Sequence, residues 1–190
     1  MIRTDILVFQ AKSFYNAYIA LDQLNREREE SLLYYIPMLV NGAFSIELTL
    51  KAILAKNQID YGKEHNLLFL FQLLPDSFQA ELLSHVIEKA PEYKDPKKCA
   101  EELILISNAF VDWRYPFEEK QAPAFDSRFL SVFANAAIWT MFAHYNVSVT
   151  PSSSTGKTDE EVLEMFRRNR EDSINANLLM IQKKSKERHS

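Results

Sequence analysis

Residues 31–56 read SLLYYIPMLVNGAFSIELTLKAILAK, and this stretch decides the fold. Ile36, Leu39, Val40, Ala43, Leu50 and Leu54 recur at the helical period, so the spacing predicts one long helix from about Ser31 to Lys56. Pro37 lacks the amide hydrogen that an inner turn needs, so the helix starts or bends there. One charge of this helix falls on the wrong side. At about 100° per residue, Glu47 lies inside the stripe of Ala43, Leu50 and Leu54 rather than opposite it. Lys51 follows one turn later on the edge of the stripe, in the orientation that favours an ion pair. Burying a charge alone costs on the order of several kcal/mol. Glu47 and Lys51 therefore predict either an internal ion pair or a polar ligand in a cleft between helices.

On the N-terminal side, Leu7, Ala11, Phe14, Tyr18 and Leu21 repeat at helical spacing, with Thr4 or Asp5 available as a cap. Beyond Lys56, Gly62 marks a turn, and a short helix carries Leu67, Leu70, Phe71 and Leu74 up to Pro75. Asp76 with Gln79 resembles a capping box opening the next helix, which ends near Ala90-Pro91. A further helix opens after Asp95-Pro96, uses Leu103, Ile106 and Phe110, and stops near Tyr115 because Pro116 follows. Arg114 falls on the stripe of Leu103, Ser107 and Phe110, a second inward charge and a natural partner for Glu47. Asp126 or Ser127 opens a helix bearing Phe129, Val132, Phe133, Ala136 and Ala137.

The pattern gives an all-α, up-and-down bundle of four to five main helices, with an extra C-terminal helix. Residues 1–148 form the bundle, 149–158 a Ser-rich linker, and 159–190 a charged helix with a basic tail. Thr158 and Glu161 resemble a capping box opening that last helix, which runs to about Met180. Helices do not alternate with strands, so a parallel sheet is excluded.

Composition narrows the function. The 190 residues are 47% apolar and 25% charged, values of an ordinary soluble domain. A net charge of −4 argues against a protein that coats polyanions. Three glycines leave no glycine-rich loop, and a lone Cys99 closes no disulfide. Arg3, Asp5 and Lys12 interrupt the N-terminal apolar run, so no signal-peptide core is present and a cytoplasmic location is expected. Phe129 to Gly156 holds no Asp, Glu, Lys or Arg, but Asn135, Thr140, His144 and Asn146 interrupt it. That reads as a helix buried by neighbours or by a dimer partner, with no membrane involved. No metal or cofactor is expected. His65, His85, His144 and His189 are too scattered to make a local ligand pair, and Glu81 with His85 is unrepeated. Gly156-Lys157-Thr158 imitates the end of a P-loop, but Pro151 stands where the first glycine belongs.

Three segments resemble one family. Ser45-Ile46-Glu47-Leu48-Thr49-Leu50-Lys51-Ala52-Ile53-Leu54 is similar to the long second helix of HEPN domains, the higher eukaryotes and prokaryotes nucleotide-binding family. His65-Asn66-Leu67, followed by Leu70 and Phe71, resembles that family's segment after the glycine turn, and Arg114-Tyr115-Pro116 resembles its RYP segment. The order and spacing agree, and the likeness extends loosely from about Leu7 to Tyr145. The resemblance implies a cytoplasmic, usually dimeric helical bundle from microbial defence or stress systems. Many relatives are metal-independent ribonucleases with an R-x(4–6)-H motif, whereas others bind nucleotides or partner minimal nucleotidyltransferases. This sequence lacks the motif: Glu119, Lys120 and Gln121 occupy the three positions after Arg114 where the histidine would stand.

The expected function is accordingly a HEPN-like binding or partner module, nucleotide- or RNA-related, in a defence or toxin–antitoxin-type system and without the standard ribonuclease activity. Arg114 offers a planar fork for phosphate and Lys51 a point charge. His65, near a helix start, either donates to an anion or caps its helix, while Tyr115 and Trp113 offer faces for base stacking. One alternative is a divergent metal-independent ribonuclease using Arg114 and His65. Another is a purely structural dimer formed through the Phe129–Tyr145 helix. The ligand-binding set is Glu47, Lys51, His65, Arg114 and Tyr115.

Overall fold

The computed structural model describes residues 4–27, 33–112 and 126–145, the side chains of 108–112 excepted. All of them fall in one compact unit, Met1–Val147. The Ser-rich linker and the charged C-terminal helix expected beyond residue 148 lie outside the described residues, as does the second capping box. The described elements are six α-helices: α1 Thr4–Glu27, α2 Tyr35–Lys56, α3 Leu67–Gln72, α4 Asp76–Lys89, α5 Pro96–Asp112 and α6 Ser127–His144. A 3₁₀ turn, Pro91–Lys94, joins α4 to α5. The fold is all-helical, and no strand occurs among the described residues.

Helix α2 is the axis of this arrangement. From Ser45 to Leu54 every residue is buried, so the expected stripe is instead a helix covered on all sides, by α1, α3, α5 and α6. The reason lies in composition: between the two charges stand only Leu48, Thr49 and Leu50, and no polar face remains to meet water. α2 is also the one described helix long and apolar enough to cross a membrane, yet 78% of that window is buried in the bundle, the environment of a core helix. Its described start is Tyr35 rather than Ser31; the first helical bond runs from the Met38 amide to the Tyr34 carbonyl, which puts Pro37 in the first turn, where it loses no bond.

α1 runs antiparallel to α2, since Phe14 stacks edge-on against Phe44 at 4.5 Å while Asn25 meets Met38. α6 runs parallel to α2: Leu130 approaches Gly42 at one end, and the Tyr145 hydroxyl donates to the Ala52 carbonyl at the other. α4 lies antiparallel to α6, with Arg128 donating to the Lys89 carbonyl and His144 meeting Glu81. At Gly42 an added Cβ would stand 3.0 Å from Tyr18 and 3.1 Å from Leu130, so glycine is what lets α1 and α6 close on α2.

Two helix ends differ from the sequence reading. α2 stops in a Schellman arrangement whose left-handed residue is Gln58 (φ 57°), with Gln58 and Ile59 amides donating to Ala55 and Leu54 carbonyls. Gly62, four residues later, serves a separate turn in which its amide donates to Asp60. Asp76 and Gln79 form no capping box. Pro75 occupies the cap position of α4, and the Gln79 side-chain amide donates back to the Leu74 carbonyl. A proline ahead of Asp76 already terminates α3 and presets the entry to α4, so Asp76 sits within the first turn.

Candidate functional site

Glu47 is 4% exposed and Lys51 8%, the only acidic and basic side chains in the buried set of the described residues. The helical period sets them one turn apart, and Lys51 Nζ donates to Glu47 Oε1 at 2.7 Å. Each offsets the other's desolvation, which is the condition for holding either charge inside.

The chain then brings a third group to the same oxygen. After the α2 stop, residues 57–66 double back along the helix, and His65 Nδ1 meets Glu47 Oε1 at 2.9 Å. A carboxylate facing Nδ1 assigns the hydrogen to that nitrogen, leaving Nε2 as the reactive end. The His65 side chain is 66% exposed, so one ring edge is anchored in the core and the other faces water. The sequence offered two roles for His65, donor to an anion or cap of its own helix. The cap is Asn66, whose side-chain oxygen accepts from the Phe69 amide, because its extended backbone suits that position and its short amide reaches the third helical residue.

Three residues to which the sequence reading gave no role surround this turn. Glu64 accepts from the backbone amides of His65 and Asn66, and the Asn66 bond and then the His65 bond pull its carboxyl below the usual value. Ser107 on α5 accepts from the Leu67 amide at 2.8 Å, satisfying a donor at the start of α3 from across the bundle. Tyr61 sets its ring 5.5 Å from Lys51 Nζ, and burial followed by the neighbouring Asp60 raises its phenol. Glutamate, serine and tyrosine at such positions carry no motif. Only the repeat of Leu103 and Ser107 on one face of α5 hinted that Ser107 looks inward.

Trp113, Arg114 and Tyr115 lie outside the described residues, so the pairing expected between Arg114 and Glu47 has no geometry here. A second histidine cluster does form: Glu81 meets His144 at 2.6 Å and His85 at 3.9 Å, bringing together residues that looked scattered in the chain. No group of three or more His, Cys, Asp or Glu among the described residues is arranged to hold a metal ion. Cys99 is buried, and burial pushes its thiol up to about 11, so it stays protonated.

The arrangement of a buried central helix carrying Glu47 and Lys51, with a histidine returned onto it, coincides with a family match. The HEPN domain family covers residues 16–131, more than half of the chain and every expected site residue. The chain belongs to the HEPN family, whose members are generally nucleotide- or RNA-related. No curated protein and no solved structure matches it.

Proposed function

We propose that the protein is a phosphate-recognising binding module, engaging a nucleotide or RNA, that works beside a partner such as a nucleotidyltransferase in a cytoplasmic defence or toxin–antitoxin-type system. One observation carries the reading: His65 is tied to the buried Glu47 through Nδ1 while most of its ring is exposed. In its imidazolium form the ring would present Nε2–H to an anion from a fixed position. Lys51 neutralises Glu47, so the carboxylate orients His65 without repelling a phosphate outright. Arg114 and Tyr115 complete the site in this reading, supplying a guanidinium fork and a stacking face. Ser107 supports their inclusion. It touches the His65–Leu67 turn, and Arg114 follows it by two helical turns on the same sequence stripe.

The same pair favours a second reading. A histidine oriented by a carboxylate is also the arrangement of a general acid–base group, so a divergent metal-independent ribonuclease using His65 and Arg114 is the competing function.

Fluorescence anisotropy with a labelled RNA oligonucleotide, and a gel assay of the same RNA, separate the two. For a binding module, wild type binds without cleaving, and His65→Ala and Arg114→Ala each weaken binding by about tenfold, the equivalent of about 1.4 kcal/mol. Cleavage by wild type that both variants abolish selects the ribonuclease. Affinity unchanged in both variants removes the site altogether.

A further inference from the structure

We propose that the end of the bundle where α1 stops and α2 and α6 begin holds a second site, for a free α-amino acid with an apolar side chain. A cleft of about 320 Å³ opens there, at the small end of the range for ligand pockets, about 300–1,000 Å³. The helix directions place it. α1 runs against α2 and α6 runs with it, so the last turns of α1 meet the first turns of the other two. Tyr18, Asp22 and Asn25 follow at steps of four and three residues on one face of α1, and α2 contributes Met38. Ser127, Arg128 and Val132 come from the start of α6.

The α1 wall has acceptors in want of donors. Asn25 Nδ2 reaches the sulfur of Met38 at 3.4 Å, while Asn25 Oδ1 is sealed from solvent and meets no partner among the described residues. Buried acceptors are nearly always bonded, so this oxygen marks a place for an N–H or O–H that no described residue supplies. Asp22, one turn earlier, takes both bonds from Arg26 on Oδ2, at 3.1 and 2.8 Å, and keeps Oδ1 for another donor. The α6 wall has donors to spare. Arg128 meets Glu92 through Nη1 at 2.6 Å and the Lys89 carbonyl through Nη2, which leaves Nε uncommitted, and Ser127 beside it carries a hydroxyl. Between the walls, the Tyr18 ring, Met38 and Val132 form an apolar floor, with Tyr18 and Met38 buried.

A free amino acid answers both walls at once. Its ammonium supplies N–H donors to Asn25 Oδ1 and Asp22 Oδ1, its carboxylate takes the Arg128 and Ser127 donors, and its side chain lies on the floor. Charge selects a zwitterion over an anion. Asp22 offsets Arg26 and Glu92 offsets Arg128, so a phosphate dianion finds no net field to draw it in, whereas a zwitterion finds a group of each sign. The site is separate from His65: Met38 precedes Glu47 by nine residues, about 13–14 Å along α2. The inference therefore stands or falls independently of the nucleotide reading.

Isothermal titration of the full chain with L-leucine, L-valine and L-methionine, each up to about 10 mM, tests it. At least one is expected to bind with a Kd of about 1 mM or tighter. Its N-acetyl and amide derivatives, which lose the ammonium and the carboxylate respectively, should bind at least about tenfold more weakly. Asn25→Leu removes the unpartnered oxygen at similar volume and should weaken the same amino acid by about tenfold, with circular dichroism and RNA affinity unchanged. Arg128→Gln alters an exposed side chain, should weaken binding to a similar degree, and serves if Asn25→Leu misfolds. No heat from any of the three amino acids, the result for a cleft that holds only water, overturns the proposal. So does a blocked derivative that binds as well as its parent, or an affinity unchanged in both variants.

Discussion

Helix α2 has two flanks that are equally buried and chemically opposite. On one, Gly42 brings no side chain, and Tyr18 and Leu130 close over it at near-contact distance. On the other, Glu47 and Lys51 bring an ion pair into the core and His65 reaches it from solvent. Packing alone accounts for the Gly42 flank: a void there would forfeit dispersion contacts, and removing the side chain is the cheapest way to bring three helices together. Packing does not account for the Glu47 flank, because apolar residues of similar volume would be as stable or more so. The comparison teaches that burial by itself carries no function. What sets the second flank apart is a polar group held inside by partners and joined to an exposed one.

The largest expected effect breaks this contrast directly. Glu47→Ala leaves Lys51 buried without its carboxylate and releases His65, and should cost about 3–5 kcal/mol. In a chain of this size, that lowers Tm by on the order of 10 °C. The double change Glu47→Met with Lys51→Met should recover most of that loss while RNA binding remains abolished. Thermal melts and anisotropy on the same three proteins check it. A single-variant loss below about 1 kcal/mol would mean the pair is solvated, like an ordinary surface bridge, and the two flanks would not differ in kind.

The Gly42 flank predicts a smaller effect of opposite character. Gly42→Val forces Tyr18 and Leu130 apart and should cost about 1–3 kcal/mol by overpacking. Gly42→Ala should cost less than Gly42→Val, since about 0.8–1 kcal/mol of helix propensity offsets part of the shift that the Tyr18 ring and the Leu130 methyls must make. Neither should change RNA affinity. A Gly42→Val protein that loses binding along with stability would show that the flanks are mechanically coupled, which the separation around α2 argues against.

How far this was legible in the sequence follows the distance between partners. The inward turn of Glu47 and its pairing with Lys51 are consequences of a 3.6-residue period, so arithmetic on one helix was enough. Helix starts at Pro96 and Ser127 were readable for the same reason, since Asp95 and Asp126 accept local amide bonds there. The meeting of His65 with Glu47 was not readable, because it depends on the path of the chain from Asn57 to Asn66. That path is set by a left-handed Gln58, which no propensity favours, and by Glu64 and Ser107 bonding to backbone amides. The contact between Glu81 and His144 joins two helices distant in the chain, and only a known topology brings them together. The all-round burial of α2 was missed because a stripe was sought where the sequence around Glu47 has no polar side at all. The family resemblance grouped Glu47, Lys51 and His65 as site residues without giving the chain path that joins them.

The smallest expected effect is a dependence on pH, and it distinguishes the flanks by slope rather than size. The carboxyl of Glu64 lies below its ordinary value of 4.5 in the folded chain, because the Asn66 and His65 amides stabilise the anion. A depressed folded value means the unfolded chain binds the proton more readily. The stability Glu64 contributes is therefore complete above the unfolded value and is lost as pH falls through the folded one. Glu64 is only partly buried, so the contribution is modest. Glu64→Gln keeps a carbonyl oxygen where Oε1 accepts both amides and removes the charge. The Tm difference between wild type and Glu64→Gln should be largest above about pH 5 and shrink steadily on acidification. Asp126, whose carboxyl is also lowered, chiefly by the Tyr93 hydroxyl, is present in both proteins and cancels in that difference. Gly42→Val measured over the same range should run parallel to wild type, since the titratable group on its flank, Tyr18, is raised above its ordinary value of 10.0 by burial and stays protonated on acidification. Parallel curves for Glu64→Gln as well would show that the turn beneath His65 is held by its backbone alone.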